Sequence, residues 1–436
     1  MQGTPSLGGT AVDLQAVAEQ ALQWMRAAGF EHAQVTASQS AINELNVNHN
    51  QPSLLRSTQA DKLALLGVVD GRVVSTELSD LAPESARQCI AGLMADARSA
   101  PQDAANAVSG NQRLRLTQGP QECDLNLLAD KMAQLLAFRA QETPKMMVDE
   151  ADAKHTLVRS RTLTSGGSDL DCSIGHYAIS MFGTARDGKR SSSFNAAGGT
   201  THDLASVQAQ DLFGIGQMMR DTQAQIETEP IGEKFAGDVL LSPAAVESLL
   251  KWLLGHLGDT QLIAGSSLYR EQVGQSIASD LLTITSRFDA PGVAAVSADA
   301  FVTAPLALLR AGKLLTLTPS LYGSRKTGLA HVPVAGAGWE MAAGNTPVSD
   351  MISATERGAI VGRLSMGNPA ANGDFSGVIK NSFAVRGGQL GPALSETMIS
   401  GNMAQMLRNI LSVSRERIDT GLLHLPWLQI AGMAYS

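Results

Sequence analysis

Apolar positions recur with a helical period over residues 13–28. Leu14, Val17, Ala18, Ala21, Leu22 and Met25 share one face, Asp13 stands where a carboxylate can cap the first turn, and Gly29 follows the last. This predicts a first helix. The period then shortens to two, and residues 35–37, 45–47 and 54–57 read as short strands. Residues 63–69 and 72–76 flank Asp70-Gly71, a two-residue hairpin signal. A helix is predicted over 83–97, with Pro83 in a tolerated early position. The Ala-, Gln-, Asn- and Gly-rich stretch 99–122 reads as a loop, and a third helix spans 125–140 with Leu128, Met132, Leu135 and Leu136 on its apolar face. Strands follow over 146–186 up to a turn at Asp187-Gly188, then a helix over 204–219.

Residues 227–237 are charged and carry Pro230, Gly232 and Gly237. A boundary there gives an N-terminal α/β domain, 1–226, including a central segment from about 123, and a C-terminal domain, 227–436. The second domain opens with a strand at 239–241, then Ser242-Pro243 as cap and first turn of an apolar helix over 244–254. Beyond Val293 the pattern is mostly β until Asn402 caps a helix over 403–411. The expected fold is α+β: helices packed on a sheet in the first domain, and a mainly antiparallel, barrel-like sheet with a few helices in the second.

At 436 residues the chain is too long for a single core. With 44% hydrophobic and 17% charged residues it reads as an ordinary folded protein. A net charge of −8, with no more than two basic residues adjacent, argues against nucleic acid as a partner. Cys89, Cys123 and Cys172 form neither a Cys-x-x-Cys pair nor a disulfide framework, which points to a reducing, cytoplasmic setting. Residues 1–30 lack a secretory pattern, and no apolar run is long enough to span a bilayer, so no membrane role is expected. The 42 glycines are somewhat denser after Leu329, which suits strands joined by tight turns and close backbone approach.

Eight histidines are scattered, none three or four residues from another, so no local zinc pair is visible. Dinucleotide, phosphate-loop and nucleophile-elbow motifs are absent. Cys172, with His176 nearby in sequence, reads as a packed thiol. The informative stretch is Lys251-Trp252-Leu253-Leu254-Gly255-His256, at the end of the apolar helix. On residue chemistry alone, His256 after Gly255 reads as a surface or capping histidine whose imidazolium could meet the helix dipole.

From Gly237 onward the sequence resembles the TldD/PmbA family. The resemblance is carried by Val239-Leu-Leu-Ser-Pro243, Gln272-Val-Gly-Gln-Ser-Ile-Ala-Ser-Asp280, Gly373-Asp-Phe-Ser-Gly377, Val378-Ile-Lys-Asn-Ser-Phe383, Glu396-Thr-Met-Ile-Ser-Gly-Asn402 and Met406-Leu-Arg-Asn-Ile410. The resemblance implies that metal-bearing members carry His-Glu-x-x-x-His on the helix before the Gln-Val-Gly stretch, with a later cysteine completing a zinc site. Counting back from Gln272 lays that motif on 251–256. Lys251 then replaces the first histidine and Trp252 the glutamate, while Gly255 and His256 remain. No cysteine follows Cys172.

The degenerate motif (Lys251, Trp252, Gly255, His256) implies no catalytic, cofactor or metal residue on this chain. An ammonium offers no lone pair, an indole N–H only donates, and one imidazole does not hold zinc. The resemblance thus implies a non-catalytic subunit of the PmbA (TldE) type. Its expected partner is a metal-bearing TldD-like subunit that supplies the zinc, and its expected substrates are extended, unstructured peptides in proteolysis or peptide maturation. Two alternatives stay open. One is a homodimeric interaction protein of the gyrase-modulator kind. The other is a metallopeptidase with a rearranged site built from His256, His424 and a carboxylate such as Glu340 or Asp374.

Overall fold

Asp13 accepts a hydrogen bond from the Ala16 N–H at 3.1 Å and starts α1 (Leu14–Ala27), whose Ala18, Ala21, Leu22 and Met25 are buried as the period requires. The computed structural model describes residues 12–336 and 338–436. The reading of a missing secretory leader falls partly on residues 1–11 and to that extent lies outside the described residues. Among the described residues no helix is long and apolar enough to cross a membrane.

The short strands expected after α1 are parts of two long ones, β1 (His32–Asn48) and β2 (Gln51–Val69), followed by β3 (Arg72–Leu78). Residues 38–46 are half-buried on both faces and 51–60 exposed throughout, so the alternation that marks a strand is missing there although the backbone stays extended. The turns between these strands take left-handed φ at His49 (48°), Asn50 (66°), Asp70 (49°) and Gly71 (66°), as two-residue hairpins demand. Next come α2 (Pro83–Ala97), β4 (Arg113–Gln118), α3 (Leu125–Glu142), β5 (Met146–Thr164), β6 (Asp169–Asp187), β7 (Arg190–Ser191) and β8 (Asn195–Thr201). Strand β4 occupies part of the expected loop. The helix expected over 204–219 forms only as a 3-10 turn at Ala209–Asp211 and as α4 (Ile215–Ala224), because Phe213 (φ 55°) and Gly214 (φ 76°) are left-handed and separate the two.

These strands order as β3-β2-β1-β5-β6-β4, with β7 and β8 also on β6. Contacts divide the chain into two units. One takes the residues up to Ala41 with Gln59–Thr117 and Val158–Ser173; the other takes Ile42–Thr58, Gln118–Leu157 and Ile174–Ser436. The first unit packs α1 and α2 on the sheet through Met25, Phe30, Leu63, Leu65, Ile90 and Leu93.

The remainder of the chain begins with β9 (Phe235–Leu241), α5 (Pro243–Leu257), α6 (Asp259–Ile263), β10 (Ile284–Ser286), β11 (Ala307–Arg310) and β12 (Lys313–Leu314). It continues through α7 (Leu321–Thr327), β13 (Trp339–Met341), α8 (Val348–Ser353), β14 (Arg357–Val361), β15 (Arg363–Met366), β16 (Asp374–Lys380), β17 (Phe383–Arg386) and β18 (Gln389–Ala393). It closes with β19 (Thr397–Asn402), α9 (Met403–Arg408), β20 (Ile410–Asp419) and β21 (Leu423–Tyr435). The expected α+β class is what is found. The barrel-like expectation is not: the strand path β12-β11-β10-β13-β21-β9-β14-β17-β18 is open, with further strands branching from β21.

Two pairings in this sheet are parallel, β9 with β14 and β13 with β21. The first is possible because α5 and a long excursion separate its strands. Strand β21 pairs with four others, and its register shifts between Ile430 and Met433, beside Gly432 at φ 82°. Such a bulge bends a strand enough to change partners along its length. Helix α5 packs on β9, β15 and β21. Ser242 starts it by accepting from the Ala245 N–H and donating to the Gly362 carbonyl at 2.9 Å, and Leu249, Leu250 and Leu253 are fully buried. Leu253→Ala should cost about 2–5 kcal/mol of stability. The denaturation midpoint checks this, and an unshifted midpoint would mean that α5 is not seated as described.

Candidate functional site

Helix α5 runs three residues beyond its expected end and includes Gly255 and His256. This changes the environment of His256. It is 3% exposed rather than on the surface, and its Nδ1 accepts the Leu268 N–H at 3.3 Å. A ring nitrogen that accepts carries no proton, so the proton of the neutral ring sits on Nε2. Burial lowers the basicity of His256, so the expected imidazolium at the helix C-terminus is replaced by a neutral core imidazole.

Trp252 lies one turn earlier on the same face, its ring 4.6 Å from that of His256 and tilted by 57°. Tyr269 completes the cluster, meeting both rings edge-on at 6.1 and 6.0 Å. The Tyr269 hydroxyl is buried without a hydrogen-bond partner, and burial pushes its pKa up to about 12. Lys251 does not face this cluster. Its side chain is exposed and pairs with Glu247 one turn back at 2.6 Å, a contact worth about 0.3–0.5 kcal/mol. Indole bulk thus occupies the face beside His256, while the ammonium points to solvent.

The far side of the indole meets two of the motif stretches. Gly373 has φ 92°, and a Cβ there would lie 3.1 Å from Trp252 Cζ2 and 3.3 Å from the Asn402 amide, so only glycine fits. Strands β16 and β19, which carry those stretches, pair antiparallel from Asp374↔Asn402 to Ile379↔Thr397. Asn402 accepts the Gln405 N–H as cap of α9 and donates to Asn372 O at 2.9 Å and Asp374 Oδ1 at 2.8 Å. Those bonds, with the Asn372 amide, hold the Asp374 carboxyl below its usual range. The 272–280 stretch reaches the same surroundings, since the Ser279 N–H donates to Leu407 O in α9.

The residues of a rearranged metal site fall into three separate clusters. His256 keeps company with Trp252 and Tyr269, and Asp374 with Asn372 and Asn402. His424 lies opposite Glu340 in the β13–β21 ladder, 3.8 Å from Glu340 and 3.9 Å from Asp419. Both carboxylates are already engaged, Glu340 by Thr285 at 3.1 Å and Arg417 at 3.8 Å, and Asp419 by Arg287 at 2.5 Å. Burial, then Arg417, lowers the basicity of His424. Among the described residues no group of three His, Cys, Asp or Glu side chains could hold a metal ion. The donors around His256 do not fit zinc: one imidazole nitrogen is already hydrogen-bonded, and the neighbours are an indole and a phenol.

An open groove of about 690 Å³, lined by Thr200, His202, Phe213, Arg287, Arg417 and Asp419 among others, shares no lining residue with the α5 cluster. Cys172 is buried, and burial, then Asp171, pushes its thiol up to about 11, which fits its reading as a packed residue. Sequence reasoning missed Tyr269 and the contact of Gly373 with Trp252. Both join residues far apart in the chain, and only the ordered motif stretches signalled that 373 and 402 belong near α5.

A profile of the PmbA/TldA metallopeptidase C-terminal domain matches residues 235–436. The Metalloprotease PmbA of Escherichia coli O157:H7 is 27% identical over 317 residues, which span 62% of this chain. The match covers 65% of that relative's own length. TldE from Thermococcus kodakarensis has the same fold, with a TM-score of 0.82 over 96% of this chain and 100% of that one, at 16% identity. A Bacteroides thetaiotaomicron protein described as a candidate modulator of DNA gyrase also has a TM-score of 0.82, over 97% of this chain and 98% of that one, at 18% identity.

Proposed function

We propose that this chain, whose residues 235–436 match the PmbA/TldA metallopeptidase C-terminal domain, is a non-catalytic, PmbA/TldE-like subunit of a TldD-type zinc metallopeptidase. A cytosolic assembly of this kind would cleave unstructured peptides in proteolysis or peptide maturation. The observation that carries the reading is the α5 cluster, where Trp252 packs on His256 and Lys251 faces solvent. A water molecule is activated for peptide hydrolysis by a Lewis acid and a proton acceptor. An indole and a solvent-facing ammonium are neither.

The zinc would then reside on a metal-bearing partner, and this chain would contribute scaffold and surface to the chamber. Extended peptides pair with strand edges through backbone hydrogen bonds, which accounts for low sequence preference. The chain's acidity disfavours direct contact with nucleic acid.

Co-expression with a metal-bearing paralogue from the same genome, followed by size-exclusion chromatography with light scattering, tests the pairing. The expected result is a complex of the two chains in equal numbers. Two chains that elute separately, with this one a homodimer, would favour an interaction protein without a peptidase role.

A further inference from the structure

Three histidines that lie far apart in sequence meet where β5, β6 and the end of β8 receive two turns. His155 in β5 is 2% exposed, and its Nε2 bonds the Pro120 carbonyl at 2.8 Å, leaving Nδ1 buried and without a partner. His176 in β6 has a buried, unpartnered Nδ1, and its ring lies 3.2 Å from where a Cβ on Gly292 would stand. His202, just after β8, has a buried, unpartnered Nε2, and its Cδ2 is 2.8 Å from the Cβ position of Gly119. The glycines at 119 and 292 thus let two backbone turns lie directly on imidazole rings. Thr200 Oγ1 ties the same region together by donating to Pro291 O at 3.2 Å, and Gln118 Nε2 does so by donating to Asp289 O at 2.5 Å.

The surroundings of His176 favour an uncharged ring. His176 faces Lys154 and His155 on β5 and His202 after β8, so each charge it could meet there is positive or potentially so. Tyr177 packs its ring on His155 at 5.0 Å and accepts the Asp124 N–H, with Cys123 beside it. Asp289 is the carboxylate that faces His202.

We propose that His176 and His202, with His155 beside them, form an acid-sensitive latch that holds turns 118–121 and 287–293 onto β6 and β8. A proton placed on His176 Nδ1 would create a buried N–H without an acceptor, next to other imidazoles and the Lys154 ammonium, and one on His202 Nε2 would create a second buried N–H whose charge Asp289 offsets only in part. Burial first, then the neighbouring His155, His202 and Lys154, pushes the pKa of His176 down to about 4, and burial also lowers that of His202. Once the turns lift, the rings titrate near their ordinary value of about 6.5. The opened form therefore binds more protons between pH 6.5 and 4. Closure is fully favoured above about 6.5 and weakens as the pH falls toward 4, by about tenfold in the open population per pH unit for each proton taken up. The latch stands apart from α5 and does not depend on whether the chain pairs with a peptidase.

Hydrogen exchange of the intact chain at pH 7 and pH 5, corrected for intrinsic rates, tests this. The expected result is an open population in peptides covering 118–121, 174–182 and 287–293 that rises by tenfold or more, while peptides of α1, which contains no histidine, keep their protection. His176→Phe removes the titrating ring and should flatten the response. Equal protection at both pH values in those peptides, or an unchanged response in a folded His176→Phe chain, overturns the proposal. Titration of the imidazole C–H signals gives a second readout: the signal that disappears in His176→Phe should titrate well below 6 in the unsubstituted chain, and the proposal fails if that signal titrates at 6 or above.

Discussion

Trp252→Glu will lower the stability of the chain by about 2–4 kcal/mol and will not give it zinc. The family resemblance places glutamate at this position in metal-bearing members, so the substitution restores one element of the lost motif. Here, however, the indole is a packing group. It touches His256, Tyr269 and the Gly373 backbone, and truncating a buried aromatic side chain costs about 3–5 kcal/mol. Trp252 is partly exposed, which reduces that figure, while a carboxylate against His256 and Tyr269 adds a desolvation cost. Zinc still lacks donors, because His256 Nδ1 is committed to the Leu268 N–H and no cysteine follows Cys172. Adding Lys251→His should leave the metal content at zero, since the side chain at 251 points to solvent. Denaturant unfolding and elemental analysis after dialysis against zinc provide the readouts. One tightly held zinc per chain in the double variant would show that the donors converge after all.

Gly175→Ala should destabilise by about 3 kcal/mol or more, beyond the usual range for one added methyl group. A Cβ at 175 would overlap the Pro120 carbonyl oxygen and lie 2.7 Å from its carbon, both backbone atoms without a rotamer to yield. A Cβ at Gly119, which has φ 69°, would likewise overlap the Gly175 carbonyl oxygen, so the two segments lie backbone against backbone. The displaced carbonyl is also the acceptor for His155. Thermal or urea unfolding measures the loss. A change below about 0.5 kcal/mol would mean that the 118–121 turn is not held against β6.

The fold was legible where hydrophobic period and turn chemistry agreed. Helix α1, the Asp70-Gly71 hairpin and the bounds of α2 followed from capping residues and apolar spacing. Long strands were hidden where neither face is buried, as in β2 over 51–60. The helix expected from residue 204 was cut back by the left-handed Phe213-Gly214 pair, since a phenylalanine gives no local warning of a positive φ. The parallel pairs in the C-terminal sheet and its open path depend on long-range order that a period of two does not encode. For the site, it was the family resemblance that singled out positions 251 and 252, and residue chemistry supplied the reason why a lysine and a tryptophan there offer neither a zinc donor nor a base. It did not show that His256 is buried. Gly255 looked like a helix end, yet α5 continues through it because His256 and Leu257 bury their side chains. Nor could it bring His155, His176 and His202 together, since their meeting depends on two turns threaded between strands.

Cleavage of an unstructured peptide, assayed with this chain alone, with a metal-bearing paralogue alone and with both, tests the non-catalytic reading most directly. The account predicts no cleavage by this chain at any zinc concentration, and chelator-sensitive cleavage by the two together that exceeds that of the paralogue alone. Chelator-sensitive cleavage by this chain on its own, abolished by His256→Ala, would contradict it.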